Sequence, residues 1–280
     1  MTGLLQHLVR RFLPRRTVNA AVRVRDFGIV SGPVYAIGDV HGCRDALERL
    51  LSLIRADAAP LGQPRVIVLG DMIDRGPDSA GVLELLLRPK AGMQVHALVG
   101  NHERLMLDFL TDPMAKAHWL DLGGFETLRS YGLALSRGDL ATLSRRRVAQ
   151  ILAAHLPDDH IAFLRGLAHG ITLTIDGQLH VLTHAGWDVA RPPDRQREET
   201  LLWGHGASTG GGIARLVQGH VVVAQPDPTD DPIRIDTGAW KTGRLSALRL
   251  CSGRDPAVIT ATHPMMGPLE QHRGRHSGDA

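Results

Sequence analysis

Residues able to bind metal ions recur directly after short apolar runs of this sequence. Their side chains are carboxylates, imidazoles and an amide, and such oxygen and nitrogen donors suit Mn²⁺, Fe or Zn²⁺. Their recurrence predicts one metal-dependent site assembled from several parts of the chain. The segments are Gly38-Asp39-Val40-His41-Gly42, Gly70-Asp71-Met72-Ile73-Asp74-Arg75-Gly76, Gly100-Asn101-His102-Glu103, His184-Ala185-Gly186 and Gly219-His220.

The spacing of three of these residues favours a shared site over separate structural roles. Asp39, Asp71 and Asn101 lie 32 and 30 residues apart, and each follows an apolar run. An aspartate in this position is often a helix N-cap, and for Asp39 alone that interpretation stays open. In open α/β sheets, however, ligands collect at the carboxyl ends of strands. Three such residues after three apolar runs therefore indicate a joint metal site.

The apolar runs themselves predict buried strands, and helical patterns lie between the early ones. Leu47, Leu50, Leu51 and Ile54 have the spacing of one helix face, and the segment 82–87 repeats it. The alternation of strand and helix predicts an α/β domain. The predicted strands are Val34–Gly38, Val66–Gly70, Val95–Gly100, Leu179–His184, His220–Ala224, Ile233–Asp236 and Arg244–Leu250.

We predict three parts along the chain. Residues 1–32 form a basic N-terminal arm, residues 33–252 the catalytic domain, and residues 253–280 a loose C-terminal tail that contains Pro, Gly and His without periodicity. Within the domain, residues of about 104–170 are helix-prone and predict a helical cap insertion.

Composition and charge exclude several classes of protein. With 43% hydrophobic and 22% charged residues, the 280-residue chain is ordinary for a globular protein and unlike a disordered one. The formal net charge of +3 is uneven, because residues 1–25 hold six arginines and no acid, which leaves −3 for the rest. If the protein binds an anionic membrane surface or a nucleic acid through basic charge, we therefore expect residues 1–25 to make the contact.

Cysteines and targeting signals favour a cytoplasmic protein. Cys43 and Cys251 are too few for a disulfide framework. Arg10-Arg11 is followed by Pro14-Arg15-Arg16 and not by an apolar segment, so we reject a twin-arginine export signal. The oligomeric state stays open.

Taken together, the segments GDVHG, GDMIDRG, GNHE, HAG and GH resemble the calcineurin-like metallophosphoesterases. Asp74-Arg75 resembles the phosphoprotein phosphatase branch of that family. Trp119–Gly132 and the stretch from Asp236 to Leu250 resemble bacterial members, of the serine/threonine phosphatase and diadenosine tetraphosphatase type. The resemblance covers roughly residues 33–250. It implies two mixed β-sheets packed as a sandwich, flanked by helices, with a di-metal centre at one edge.

The resemblance also implies a role for each motif residue. His102 would be the general acid and Asp74 would orient it, while Arg75 and Asn101 would bind the substrate phosphate. Two divalent ions are implied, with Mn first and Fe or Zn as alternatives. The implied ligands are Asp39 and His41 for the first ion, Asp71 as a bridge between the two, and Asn101, His184 and His220 for the second.

One position departs from the family pattern. Relatives commonly place a second phosphate-binding arginine after a Leu-Leu-Trp segment, whereas here Leu201-Leu202-Trp203-Gly204 is followed by His205. A protonated His205 is one candidate for that role, and a loop cap is its structural alternative. Arg195, Arg197 and Arg215 are the other candidates.

The function implied is hydrolysis of a phosphoester, by in-line attack of a metal-bound hydroxide on phosphorus. The substrate would be a serine/threonine phosphoprotein or a small phosphomonoester. A dinucleoside polyphosphate is the alternative, and the helical insertion would shape the approach of either. A catalytically inactive binding protein is an alternative of another class, which the complete set of ligand types argues against.

Overall fold

The computed structural model describes residues 21–205, 207 and 214–263. In this part of the chain the strands form two five-stranded sheets. The strands are β1 (Val24–Ile29), β2 (Val34–Ile37), β3 (Arg65–Val68), β4 (Gln94–Ala97), β5 (Gly170–Ile175), β6 (Gln178–Thr183), β7 (Ala214–Gln218), β8 (Ile233–Arg234), β9 (Arg244–Cys251) and β10 (Arg254–Thr262).

Both sheets are mixed. The order of the first is β10-β9-β2-β3-β4, in which β2, β3 and β4 run parallel, β9 is antiparallel to β2, and β10 is antiparallel to β9. The order of the second is β1-β5-β6-β7-β8, in which only the β5–β6 pair is antiparallel. The carboxyl ends of β2, β3 and β4 therefore lie side by side in one sheet, and those of β6 and β7 lie side by side in the other.

The helices flank the sheets and form the insertion. The longer ones are α1 (Arg44–Ala58), α2 (Ser79–Leu87), α3 (Asn101–Thr111), α6 (Arg145–His155) and α7 (Asp158–Gly166). The shorter ones are α4 (Gly124–Ser130), α5 (Arg137–Thr142), α8 (Glu198–Trp203) and α9 (Ala239–Thr242), with 3₁₀ turns at Ala117–Leu122 and Pro193–Arg195.

The sandwich core follows from the alternation of side chains along the strands. In β2, Val34 and Ala36 belong to the apolar cluster between the sheets, whereas Tyr35 and Ile37 belong to the cluster beneath α1 and α2. Both faces are buried, as expected for a parallel strand covered by helices. The two-sheet sandwich flanked by helices confirms the predicted fold class.

The predicted helices form, and the insertion is helical. Ala46, Leu47, Leu50 and Ile54 bury the inner face of α1. Between β4 and β5 the chain runs through α3 to α7 with only a 3₁₀ turn among them. This stretch is the predicted cap insertion.

Both ends of the folded body extend beyond the predicted range of 33–252. At the N-terminal end, β1 pairs with β5, and Arg23 Nη2 donates to the carbonyls of Arg165 and Leu167 at 2.7 Å. Residues 24–29 therefore belong to a sheet and not to an arm. The predicted basic segment at residues 1–20 lies outside the described residues.

At the C-terminal end, β10 pairs with β9, so residues 254–262 are not a loose tail. Pro256 obscured this strand, because a proline interrupts a strand pattern. It lies where the register shifts between Arg254 and Ala257, on an edge strand that tolerates a missing N–H. The rest of the predicted tail, 264–280, lies outside the described residues.

One predicted strand, His220–Ala224, is wrong. The strand in this region is β7, which ends at Gln218, before the predicted segment begins. The chain then turns at His220, which has a φ of +62°. The apolar run 221–223 forms a loop, in which Val221 and Val222 are 42% and 43% exposed. Among the described residues we find no helix with the length and hydrophobicity of a membrane span.

Candidate active site

The predicted site residues converge where the two sheets meet. Asp39 and His41 follow β2, Asp71 and Asp74 follow β3, and Asn101 and His102 open α3 directly after β4. His184 follows β6 and His220 follows β7. Because these strands end at the same edge of the sandwich, five separate loops deliver their side chains to one place.

The backbone of these loops is strained at the site residues themselves. Among the described residues, six non-glycine residues have a positive φ, and five of them are His41, Asp71, Asp74, Arg75 and His220. Such left-handed conformations are costly for residues with a Cβ and cluster at functional sites. The loops therefore place these side chains at the expense of backbone strain.

Two groups of potential ligand atoms share Asp71. In one group, His41 Nε2 and His102 Nε2 lie 3.6 and 3.9 Å from Asp71 Oδ2. In the other, His184 Nε2 lies 3.5 Å from Asp71 Oδ1 and 3.2 Å from His220 Nδ1. The two oxygens of Asp71 thus face different groups, and this carboxylate could contribute to both.

The tautomers of two histidines are set for metal binding. Nδ1 of His41 donates to the carbonyl of Ile73 at 2.8 Å, and Nδ1 of His184 donates to the carbonyl of Leu69 at 3.0 Å. Each bond fixes the proton on Nδ1 and leaves the Nε2 lone pair facing Asp71. Burial lowers the pKa of His41 to about 3 and of His184 to about 4, which keeps both neutral. Asn101 joins the second group, with Oδ1 2.9 Å from His184 Nε2.

Asp39 is held behind the second group. Its carboxylate accepts the backbone N–H of His220 at 3.0 Å and lies 4.0 Å from His184 Nδ1. Burial, together with the charges of Asp236 and Asp71, raises the pKa of Asp39 well above its ordinary value. Asp39, Asp71 and Asp236 are each 2% exposed. Several buried carboxylates need cations beside them, so the donor set fits divalent ions.

The guanidinium group of Arg75 contacts the first group of potential ligands. Its Nη1 donates to His41 Nε2 and its Nη2 donates to His102 Nε2, both at 2.9 Å. The guanidinium is half-buried and spans the mouth of the first group. A forked donor in this place can bind two oxygens of a phosphate.

His102 and Asp74 form a buried pair. His102 Nδ1 donates to Asp74 Oδ2 at 2.6 Å. Burial disfavours the charged imidazolium, but Asp71 and the hydrogen bond to Asp74 outweigh it, so the pKa of His102 is raised. The raised pKa favours a protonated imidazole, which is the form a general acid requires.

Two residues of the cap insertion hold Asp74, and sequence reasoning did not assign them to the site. Trp119 Nε1 donates to Asp74 Oδ2 at 2.8 Å, and Thr127 Oγ1 donates to Oδ1 at 2.6 Å. Both side chains are fully buried. Their signal in the sequence was the segment Trp119–Gly132, which resembled bacterial relatives without indicating a role.

Glu103 ties the second and third motif loops together. Its carboxylate accepts four backbone N–H groups, from Asp71, Met72, Ile73 and Gly100, at 2.7 to 3.2 Å. Burial raises the pKa of Glu103 to about 7, and the charge of Asp71 adds to this. Glu103 therefore positions the loops and leaves its oxygens occupied.

Gly100 is required by the close approach of these loops. A Cβ there would lie 2.1 Å from Asp71 Oδ1 and 2.4 Å from Asp71 N.

His205 is the predicted site residue with the weakest connection to the cluster. Its side chain is exposed and its carbonyl accepts Thr200 Oγ1 at 2.7 Å. Burial lowers the pKa of His220, and the charge of His205 makes a smaller contribution in the same direction. Of the alternative arginines, Arg195 pairs with Asp194, and Arg215 donates to the carbonyl of Pro228.

Comparisons with known proteins agree with this geometry. Part of the chain is 42% identical over 74 residues to a symmetrical bis(5'-nucleosyl)-tetraphosphatase of Acidovorax sp. (strain JS42), covering 26% of this chain and 25% of that protein. Another match, to serine/threonine-protein phosphatase 1 of Salmonella typhimurium, is 38% identical over 91 residues, or 32% and 38% of the two chains. The matched segments thus span about a quarter to two fifths of these relatives.

A solved structure of a candidate diadenosine tetraphosphatase has the same fold. Its TM-score is 0.58 at 24% identity, over 86% of this chain and 98% of that one. The profile of the calcineurin-like phosphoesterases matches residues 32–263, which include every site residue described above. Because that match covers most of the chain, the protein belongs to the calcineurin-like phosphoesterase family.

Proposed function

We propose that this protein is a metal-dependent hydrolase of phosphoesters. The observation that carries the proposal is the arrangement around Asp71, whose two oxygens face two separate groups of potential ligands. The buried His102–Asp74 pair and Arg75 adjoin the first of these groups. The combination supplies metal ligands, a proton donor and a phosphate-binding cation in one place.

Two divalent ions would be held by the ligands that the structure gathers. His41 and Asp71, joined by Asp39 as the family pattern implies, would bind the first, and Asp71, Asn101, His184 and His220 the second. In the structure, Asp39 contacts His184 and His220. Such ions, when bound, neutralise phosphate charge and make water a stronger nucleophile. We propose Mn²⁺ as the resident ion, with Fe and Zn²⁺ as alternatives that these nitrogen and oxygen donors also suit.

The chain's own residues then act on the substrate. Arg75 binds oxygens of the phosphoryl group through its two terminal nitrogens. His102 donates the proton on Nε2 to the leaving oxygen, and Asp74 holds the ring through Nδ1. Because Arg75 Nη2 also contacts Nε2, it must give up this contact when His102 is protonated.

For the substrate we propose a phosphomonoester, either on a serine or threonine of a protein or on a small molecule. The similarity to serine/threonine-protein phosphatase 1 supports this choice. The similarity to symmetrical bis(5'-nucleosyl)-tetraphosphatases supports a dinucleoside polyphosphate as the second candidate.

The test is hydrolysis of p-nitrophenyl phosphate by the full chain with added Mn²⁺. We expect activity that a chelator abolishes and that Asp71→Asn lowers by more than about 100-fold. A comparison of kcat/KM on a phosphothreonine peptide and on diadenosine tetraphosphate then separates the two substrate classes. Unchanged activity in Asp71→Asn would contradict the proposed function.

A further inference from the structure

A cavity of about 290 Å³ opens between α9 and the loops that follow β2 and β3. Five of its lining residues, Cys43, Ala46, Pro77, Ala239 and Trp240, are apolar or weakly polar, and we call this space the Trp240 cavity. It adjoins the site through two loops. Cys43 Sγ donates to the carbonyl of His41 at 3.4 Å, and Pro77 follows Arg75 by two residues.

Trp240 connects this cavity to the phosphate-binding arginine. Its side chain is 44% exposed, although it is one of the largest apolar groups in the chain. The Cζ atom of Arg75 lies 5.3 Å from the centroid of its indole, which is cation–π distance. One guanidinium therefore contacts the indole, His41 and His102 together.

The short helix that carries Trp240 is fixed at both ends. Gly238 and Gly243 cap α9 with positive φ angles of 65° and 68°. Thr242 Oγ1 donates to the carbonyls of Thr237 and Gly238 at 2.7 and 3.0 Å. The indole is thus held by a rigid turn. Within the described part of the chain, its surface is only partly covered by other residues.

Charged groups around the cavity pair with one another. Arg44 lies 3.4 Å from Asp78, and His263 Nε2 lies 3.1 Å from Asp45 Oδ2. Opposite charges balance at the rim, so the cavity is better suited to an apolar group than to an ion. The loop after β7 adds apolar surface next to α9, since a Cβ on Gly238 would lie 3.2 Å from Val222 Cγ1.

We propose that the Trp240 cavity binds a planar aromatic group carried on the ester oxygen of the substrate. The phosphoryl group would contact Arg75, and the aromatic ring would lie against the indole that the same guanidinium contacts. The enzyme then prefers aromatic phosphoesters over aliphatic ones of equal size. This inference rests on the proposed function and narrows its substrate class.

The test compares benzyl phosphate with cyclohexylmethyl phosphate, using the full chain with Mn²⁺. Both are esters of primary alcohols with the same number of carbons. Benzyl alcohol is the slightly stronger acid, so the part of any preference that depends on Trp240 is the part that reports ring recognition. We expect kcat/KM to favour benzyl phosphate by about fivefold, in line with one aromatic contact. Trp240→Ala should remove this preference, and Trp240→Phe should keep most of it. Leu53→Ala, at an equally exposed position on α1 two turns beyond Ala46, should leave it unchanged.

Inhibition by inorganic phosphate separates ring recognition from mere support of Arg75. If the indole only supported Arg75, Trp240→Ala would weaken inhibition by phosphate as much as it raises KM for both esters. That result, or equal kcat/KM for the two esters in the unmodified protein, would overturn the proposal.

A binding measurement tests the same preference without depending on catalytic turnover. Calorimetry with benzylphosphonate and cyclohexylmethylphosphonate, neither of which is hydrolysed, should show the same preference and its loss in Trp240→Ala. Absence of hydrolysis of every phosphoester would refute the proposed function, whereas equal binding of the two phosphonates would refute the cavity's role.

Discussion

Replacing Asp74 by asparagine should slow the hydrolysis of alkyl phosphates far more than that of p-nitrophenyl phosphate. Asp74 is fully buried and accepts hydrogen bonds from His102, Trp119 and Thr127 at 2.6 to 2.8 Å. Asparagine keeps the shape of this side chain but has one acceptor oxygen and no charge. His102 therefore loses the negative charge that favours its protonated form, and three donors compete for the one acceptor oxygen that remains.

The expected magnitude follows from that hydrogen bond. A hydrogen bond to a charged group contributes about 1.5–3 kcal/mol, which corresponds to about 10- to 150-fold in rate. We expect a loss of this size in kcat/KM for an alkyl phosphate, whose leaving alkoxide needs a proton. p-Nitrophenolate is stable without one, so its release should change by less than about threefold.

The assay measures kcat/KM for benzyl phosphate and p-nitrophenyl phosphate on the same preparations. Thr127→Val is the matched variant, because it removes a donor to Asp74 without removing the charge. It should show the same substrate dependence at a smaller size. Circular dichroism and metal content confirm that each variant is folded and loaded. Equal losses with both substrates in Asp74→Asn would refute the assignment of His102 as the proton donor.

Three further predictions concern the surrounding structure. Glu103→Gln should lower the free energy of unfolding by about 2–4 kcal/mol in urea titrations. The new amide NH₂ would face backbone N–H groups that donate to the carboxylate in the unmodified protein. Unchanged stability would contradict the positioning role of Glu103. Gly100→Ala should lower metal affinity in calorimetry, because its Cβ would meet Asp71. Gly166→Ala is the control, since a Cβ there has open space. Burial raises the pKa of Cys43 to about 12. In mass spectrometry its alkylation by iodoacetamide at pH 7.5 should therefore be about 10³-fold slower than for a free cysteine, and a rate equal to that of the unfolded chain would contradict the raised pKa of this half-buried thiol.

Much of the fold and the site could be predicted because local signals carried them. Strands β2, β3, β4 and β6 overlap predicted apolar runs that lead into polar residues, and parallel pairing with their neighbours places those residues together. The sequence therefore predicts that the residues around Asp71 lie together, without knowledge of the strand pairing, and the structure brings them together.

The residues that sequence reasoning did not place depend on contacts between distant segments. Trp119 and Thr127 reach Asp74 across 45 and 53 residues, and a buried tryptophan in a helical segment has no local sign of that hydrogen bond. His220 looked like the start of a strand because valines follow it, although its positive φ ends β7 there. Trp240 contacts Arg75 only because the turn at α9 brings its indole next to the guanidinium.

We propose that Asp71 contributes to the binding of two metal ions in a site that hydrolyses phosphoesters. The most direct measurement is the Mn²⁺ content per chain, by mass spectrometry after equilibrium dialysis, of the unmodified protein and of Asp71→Asn. We predict about two ions per chain in the unmodified protein and fewer than about one in the variant. Equal Mn²⁺ content in the two proteins, or none in either, would contradict the account.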